Sequence, residues 1–97
     1  MLTIKEITKL AEVRAEEIVH ELVDKQQTIA LEHGKVDFDI YPNKEQFQGF
    51  LDALRGENVV YLNVWKIIEC AGYRINISLK NRNVSLTMRL DLGACEG

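Results

Sequence analysis

Apolar and polar residues alternate along this chain with two periods, one typical of helices and one typical of strands. The first third has the helical period, with apolar residues at Ile4, Ile7, Ala11, Ala15, Ile18 and Leu22. Leu10, Val19 and Val23 widen this stripe, and Thr3 and Glu6 have the spacing of a capping box. We predict a helix from Thr3 to at least Lys25, continuing to His33 before Gly34. A hairpin turn at Gly34-Lys35 is the alternative for its last part, because Thr28 and Ile29 are β-branched.

The middle of the chain predicts a strand followed by two shorter helices. Alternation at Val36–Tyr41 is typical of a half-buried strand, with Val36, Phe38 and Ile40 inward. After Pro42, Asn43 and Gln46 are spaced to cap a second helix that ends at Gly56. Its predicted apolar stripe is Phe47, Phe50, Leu51 and Leu54. A third helix is predicted from about Tyr61 to Ala71, with Leu62, Trp65, Ile68 and either Val64 or Ile67 inward, and with Asn63, Lys66 and Cys70 on the opposite face.

The last part predicts two antiparallel strands with one dry and one wet face. The inward residues are Tyr73, Ile75, Ile77 and Leu79 on one strand and Val84, Leu86, Met88 and Leu90 on the other. Asn81, Arg82 and Asn83 supply the turn, since Asn tolerates positive φ. Residues 92–97 are expected to fray. The fold class is therefore α+β: a single domain over residues 1–97 with a long N-terminal helix, two shorter helices and a small antiparallel sheet with a C-terminal β-hairpin.

The composition of the chain limits the classes of function that we expect. The net charge is −3, which disfavours strong non-specific nucleic-acid binding. Residues 72–92 nevertheless hold four cations and one carboxylate. No apolar run is long enough for a membrane span, and the N-terminus does not look like a signal peptide, so we expect a cytoplasmic protein. Cys70 and Cys95 form no metal-binding pair, and Asp37 and Asp39 are interpreted as the wet side of a strand. The chain carries no motif for catalysis, metal or cofactors, so an enzyme is not expected.

The element order is similar to that of a winged helix-turn-helix domain, and the leading prediction is therefore a small DNA-binding transcription regulator of helix-turn-helix or winged-helix type. In that interpretation the helix around Trp65 reads the major groove and the hairpin tip contacts phosphate. The predicted DNA-binding residues are Asn63, Lys66, Arg74, Lys80 and Arg82. The wide apolar stripe of the first helix predicts a homodimer, although burial against its own sheet also explains it.

Residues 55–77 resemble the closing part of the helix-turn-helix domain of phage repressors of the Cro/Xre type. The resemblance rests on Arg55, Gly56, Asn58, Lys66, Ile67 and Gly72. It implies that the second helix, exposing Lys44, Gln46 and Gln48, would read DNA instead of the third.

The alternative function is a small acidic protein-interaction module, such as a phage or mobile-element inhibitor or an accessory subunit, without nucleic-acid binding. The distribution of charged side chains on the folded surface distinguishes these two functions. A basic face free of carboxylates would favour DNA, whereas Asp37 and Asp39 beside the sheet's basic residues would favour a protein partner.

Overall fold

A computed structural model of the chain describes residues 1–80 and 83–90, and side chains as far as residue 77. The elements follow in the order α1 (Ile4–Glu32), β1 (Phe38–Ile40), α2 (Lys44–Leu54), α3 (Val59–Cys70), β2 (Tyr73–Lys80) and β3 (Asn83–Leu90). Helices and strands thus both form, which confirms the α+β class. None of the described helices is long and apolar enough to cross a membrane.

Helix α1 confirms the prediction of one long N-terminal helix that continues to His33. Its 29 residues span about 43 Å at the usual rise per residue. Thr3 and Glu6 form the predicted capping box, and His33 is the C-cap. Gly34 follows with a φ of 68°, a conformation that glycine adopts without the strain of a Cβ.

The core does not cover the whole stripe of α1. Ala11, Ala15, Ile18 and Leu22 are buried as predicted, and Val23 joins them. Every residue from 1 to 10 is exposed, including Ile4 and Ile7. The predicted burial of those two isoleucines is therefore wrong, because α1 starts about two turns before the body of the domain that packs against it.

Helices α2 and α3 meet through an aromatic cluster. Phe50 is fully buried, and the rings of Tyr61 and Trp65 approach it edge-to-face at centroid distances of 5.0 and 6.0 Å. Gly49 of α2 lies directly under the Tyr61 ring, so the missing side chain allows α3 to approach closely. The predicted Asn43–Gln46 capping box is present at the start of α2.

Two leucines of these helices were predicted inward and are exposed instead. Leu54 is the last residue of α2, where Ala53 is buried in its place. Leu62 is exposed because the buried stripe of α3 runs through Tyr61, Val64 and Ile68. Ile68 is buried and Trp65 packs against the core, as predicted.

The three strands pair in the order β1-β3-β2, and both pairs are antiparallel. Strand β1 is shorter than the predicted Val36–Tyr41, because it pairs only with residues 86–88. Val36 precedes it and is exposed, contrary to prediction. On β2 the predicted alternation holds as far as Ile77: Ile75 is buried, Tyr73 and Ile77 pack against the core, and Arg74 and Asn76 are exposed.

Some predictions lie outside the described residues. They are the turn residues Asn81 and Arg82, the inward side chains of Leu79 and of β3, and residues 92–97. Asn83, predicted in the turn, is the first residue of β3 and pairs with Lys80.

Candidate interaction surface

Asn63 and Lys66, two of the predicted DNA-binding residues, lie close together on α3, but carboxylates face them. Both line a shallow depression of about 250 Å³ that also contains Glu12 and Glu16 of α1, Ile67 and Cys70. The Asn63 amide Nδ2 donates to the Val59 carbonyl oxygen at 2.9 Å. One N–H of the Asn63 amide is thus engaged with its own helix, and two carboxylates share the depression with Lys66.

The α2–α3 pair as a whole is not basic. Residues 44–70 contain three cations and four carboxylates: Lys44, Arg55 and Lys66 against Glu45, Asp52, Glu57 and Glu69. In α2, Gln46 is used as a cap, and the Gln48 Nε2 donates to Asp52 Oδ1 at 2.9 Å. Val59 and Leu62 add apolar side chains to the exposed face of α3. This surface lacks the excess of cations that phosphate contacts require.

Arg74 lies on the outer face of the sheet, away from the helices. It pairs in register with Arg89, and the neighbouring row holds Asn76 opposite Thr87 and Thr87 opposite Asp39. Asp39 is therefore about 12 Å from Arg74 between Cα atoms, given usual strand spacings. Arg74 and Asp37 each have an interaction partner. The carboxylate of Asp39 thus shares the wet face of the sheet with Arg74.

Lys80 and Arg82 complete the predicted set. Lys80 is the last residue of β2 and its side chain lies outside the described part, as does all of Arg82. Among the described side chains, Asn63 and Lys66 are brought together, whereas Arg74 is separated from them by the sheet.

The first three turns of α1 carry four exposed apolar side chains. We call Ile4, Ile7, Leu10 and Val13 the α1 surface; their exposed fractions are 85%, 46%, 55% and 49%. They follow each other at steps of three residues, so the row winds around the helix. Ile7 and Leu10 lie on one face, and Ile4 and Val13 flank it on opposite sides.

The local sequence explains why this segment is helical without packing. The Thr3–Glu6 capping box satisfies the first N–H groups, and the Thr8 hydroxyl donates to the Ile4 carbonyl oxygen at 2.8 Å. Further along the same helix, Arg14 Nη1 lies 3.1 Å from Glu17 Oε2 and 3.9 Å from Glu21 Oε1. The apolar row is thus followed by charged side chains that are already paired within α1.

The neighbours of the Tyr61 phenol in α3 shift its pKa. Burial raises the pKa of Tyr61 above its usual 10.0, Arg14 lowers it, and Glu21 and Glu45 raise it further. Tyr61 packs in the aromatic cluster, where a neutral phenol is expected. No group of three or more His, Cys, Asp or Glu residues in the described part could hold a metal ion.

The indole nitrogen of Trp65 is a buried hydrogen-bond donor without a partner. Its Nε1 has no hydrogen-bond partner, although buried polar groups are usually paired. We have no physical explanation for this unpaired donor, and Trp65 lines none of the described surface depressions.

In comparisons with known proteins, no family model, curated protein or solved structure matches this chain. The resemblance to phage repressors therefore stays a prediction. The sequence did carry a signal for the α1 surface, since apolar residues occur on more than one side of the first helix. Their exposure could not be read from it, because the period is the same for a buried and an uncovered stripe.

Proposed function

We propose that the protein is a small protein-interaction module that binds its partner through the α1 surface. The observation that carries the proposal is the row Ile4, Ile7, Leu10 and Val13, held on a capped helix with exposed fractions of 46–85%. Single exposed apolar residues are common on protein surfaces. Here Ile7 and Leu10 share one face and Ile4 and Val13 flank it, so the four together form an exposed apolar surface of the kind that marks an interface.

Burial of the α1 surface supplies part of the free energy of binding. Full burial of an aliphatic side chain is worth about 1.5–3 kcal/mol, so a partner on the face of Ile7 and Leu10 gains about 2 kcal/mol from their exposed parts, and more where it reaches the flanking Ile4 and Val13. Because association also costs translational and rotational freedom, contacts around these residues must supply the rest of the roughly 8 kcal/mol of micromolar binding. The three cations of the α2–α3 pair are outnumbered by its four carboxylates, so phosphate binding there gains little. The sequence, without a motif for catalysis, supports binding rather than chemistry, and a cytoplasmic location remains part of this proposal.

Site-specific photo-crosslinking in the protein's native cells tests this proposal. A photoreactive residue replaces Leu10, and a matched control replaces His20, which is also exposed on α1. We expect a defined covalent adduct from position 10 and none from position 20. Equal adducts from both positions, or none from position 10, would remove the support for the α1 surface.

DNA binding by a winged helix is the second candidate function. One observation favours it: the element order α1-β1-α2-α3-β2-β3 is that of a winged helix-turn-helix domain. Fluorescence anisotropy with a mixed-sequence duplex at low and physiological salt tests it, with Lys66→Ala and Lys80→Ala/Arg82→Ala as variants. Salt-sensitive binding that weakens in these variants would support DNA binding. No binding at low salt would reject it, because electrostatic association is strongest there.

A further inference from the structure

The face of α1 that contains Ile7 and Leu10 forms a regular stripe along the helix. Thr3, Ile7, Leu10, Arg14, Glu17 and Glu21 follow at alternating steps of four and three residues. This is the spacing with which one helix packs along another in a coiled coil. The stripe is uncharged as far as Leu10 and charged from Arg14 onward.

We propose that the partner of the α1 surface is a second copy of this chain, with the two α1 helices antiparallel and crossing between Thr8 and Lys9. This inference rests on the proposed function and names its partner. A twofold axis at that point sets Ile7 against Leu10 of the second copy, and Leu10 against Ile7 of the second copy. Thr3 then lies level with Arg14 of the second copy, so no charged group opposes the apolar pair.

The charges select this register. Moving one helix along by a heptad in one direction places Ile7 opposite Glu17 and Leu10 opposite Arg14, which would bury charged groups against apolar ones. Moving it in the other direction leaves Leu10 uncovered. Of the heptad-related registers, the proposed one alone covers both residues with apolar partners.

The charge distribution along α1 selects the antiparallel direction. Residues 1–14 contain Lys5, Lys9 and Arg14 against Glu6 and Glu12. Residues 15–33 contain one cation, Lys25, against five carboxylates: Glu16, Glu17, Glu21, Asp24 and Glu32. In the proposed register the charged residues of the stripe meet no like charge, because Arg14 lies level with Thr3 of the second copy and Glu17 and Glu21 lie beyond the start of its α1. A parallel pair would instead set each of these three residues against itself.

The shape of the domain agrees with this direction. Each body packs against its own α1 from Ala11 onward, and the exposed segment Ile4–Leu10 projects about 10 Å beyond it. In the antiparallel pair the two bodies lie toward opposite ends of the crossing. A parallel pair would place them side by side at the same level, where they compete for space.

Analytical ultracentrifugation from micromolar to near-millimolar concentration tests the proposal. We expect the wild-type mass to rise from 11.1 kDa to twice that value with concentration. Ile7→Asp and Leu10→Lys should each weaken dimerisation by at least about tenfold, because each puts a charge against an apolar side chain. The variant with both substitutions should recover most of the loss, since each Asp then faces a Lys of the other copy.

Thr8→Asp is the matched control, because it adds the same charge one residue along, on a different face of α1. It should dimerise like the wild type, and far-UV circular dichroism should show that all variants fold. A wild type that stays monomeric, or a double variant no better than the single ones, would overturn the antiparallel dimer. If the wild type is monomeric and Leu10 still crosslinks to a protein of another mass, the interaction function stands and the second copy is excluded. If position 10 yields no adduct either, both proposals fail.

Discussion

Replacing Gly49 by alanine tests how closely α2 and α3 approach. A Cβ at Gly49 would lie 2.5 Å from Tyr61 Cδ1 and 2.8 Å from Tyr61 Cζ, well inside van der Waals contact. The ring has little room to withdraw, because Tyr61 is 8% exposed and packs edge-to-face on the fully buried Phe50. We therefore expect Gly49→Ala to destabilise the protein although it adds a better helix former.

The magnitude follows from two opposing effects. Alanine in place of glycine inside a helix stabilises by about 1 kcal/mol. Overpacking a filled core costs about 1–3 kcal/mol, and displacing the ring also weakens its aromatic contact, worth about 0.5–1.5 kcal/mol. The steric effect is the larger, so the free energy of unfolding should fall by about 1–2 kcal/mol.

A double-mutant cycle with Tyr61→Leu isolates the contact. Leucine keeps an apolar side chain at position 61 but lacks the ring atoms that the new Cβ would meet. In that background Gly49→Ala should stabilise by about 1 kcal/mol, which gives a coupling free energy of about 2–3 kcal/mol. Urea denaturation followed by Trp65 fluorescence and circular dichroism measures each corner of the cycle. A stabilising Gly49→Ala in the wild type, or the same effect in both backgrounds, would refute the reasoning.

Two further predictions concern the phenol of Tyr61 and the helix caps. Burial raises the pKa of Tyr61, so its contribution to stability is complete below the unfolded pKa of about 10 and is lost as the pH rises through the folded pKa. Urea denaturation should show wild type losing stability between about pH 9 and pH 11 faster than Tyr61→Phe; parallel curves would contradict this sign. Thr3 and Asn43 cap α1 and α2 with similar capping boxes, but only α2 begins within the packed body. Asn43→Ala should cost about 1 kcal/mol of global stability in urea denaturation of dilute protein, and Thr3→Ala much less, because the exposed first turns of α1 fray locally; equal losses would show that those turns are packed.

Local signals in the sequence determined the number, type and order of the elements. The Thr3–Glu6 and Asn43–Gln46 spacings identified two helix starts, and Gly34, Gly56 and Gly72 marked the ends of the three helices, where each has a positive φ. The alternation of Tyr73, Ile75 and Ile77 with Arg74 and Asn76 identified the faces of β2. These features depend on hydrogen bonds and periods within a few residues, so short stretches of the sequence are enough to identify them.

Which residues are covered was decided by the tertiary structure alone. Ile4, Ile7 and Ile18 belong to one stripe in the sequence, yet only Ile18 has the body of the domain against it. Leu54 and Leu62 are exposed, and Ala53 and Tyr61 are buried instead. Hydrophobicity alone does not decide this, because burial depends on where two helices cross. The surroundings of the predicted DNA-binding residues were also decided by the tertiary structure. Lys66 is basic in the sequence, but the packing of α1 on α3 places Glu12 and Glu16 around the same depression. A sequence specifies the charge of each residue, whereas the folded chain specifies its neighbours.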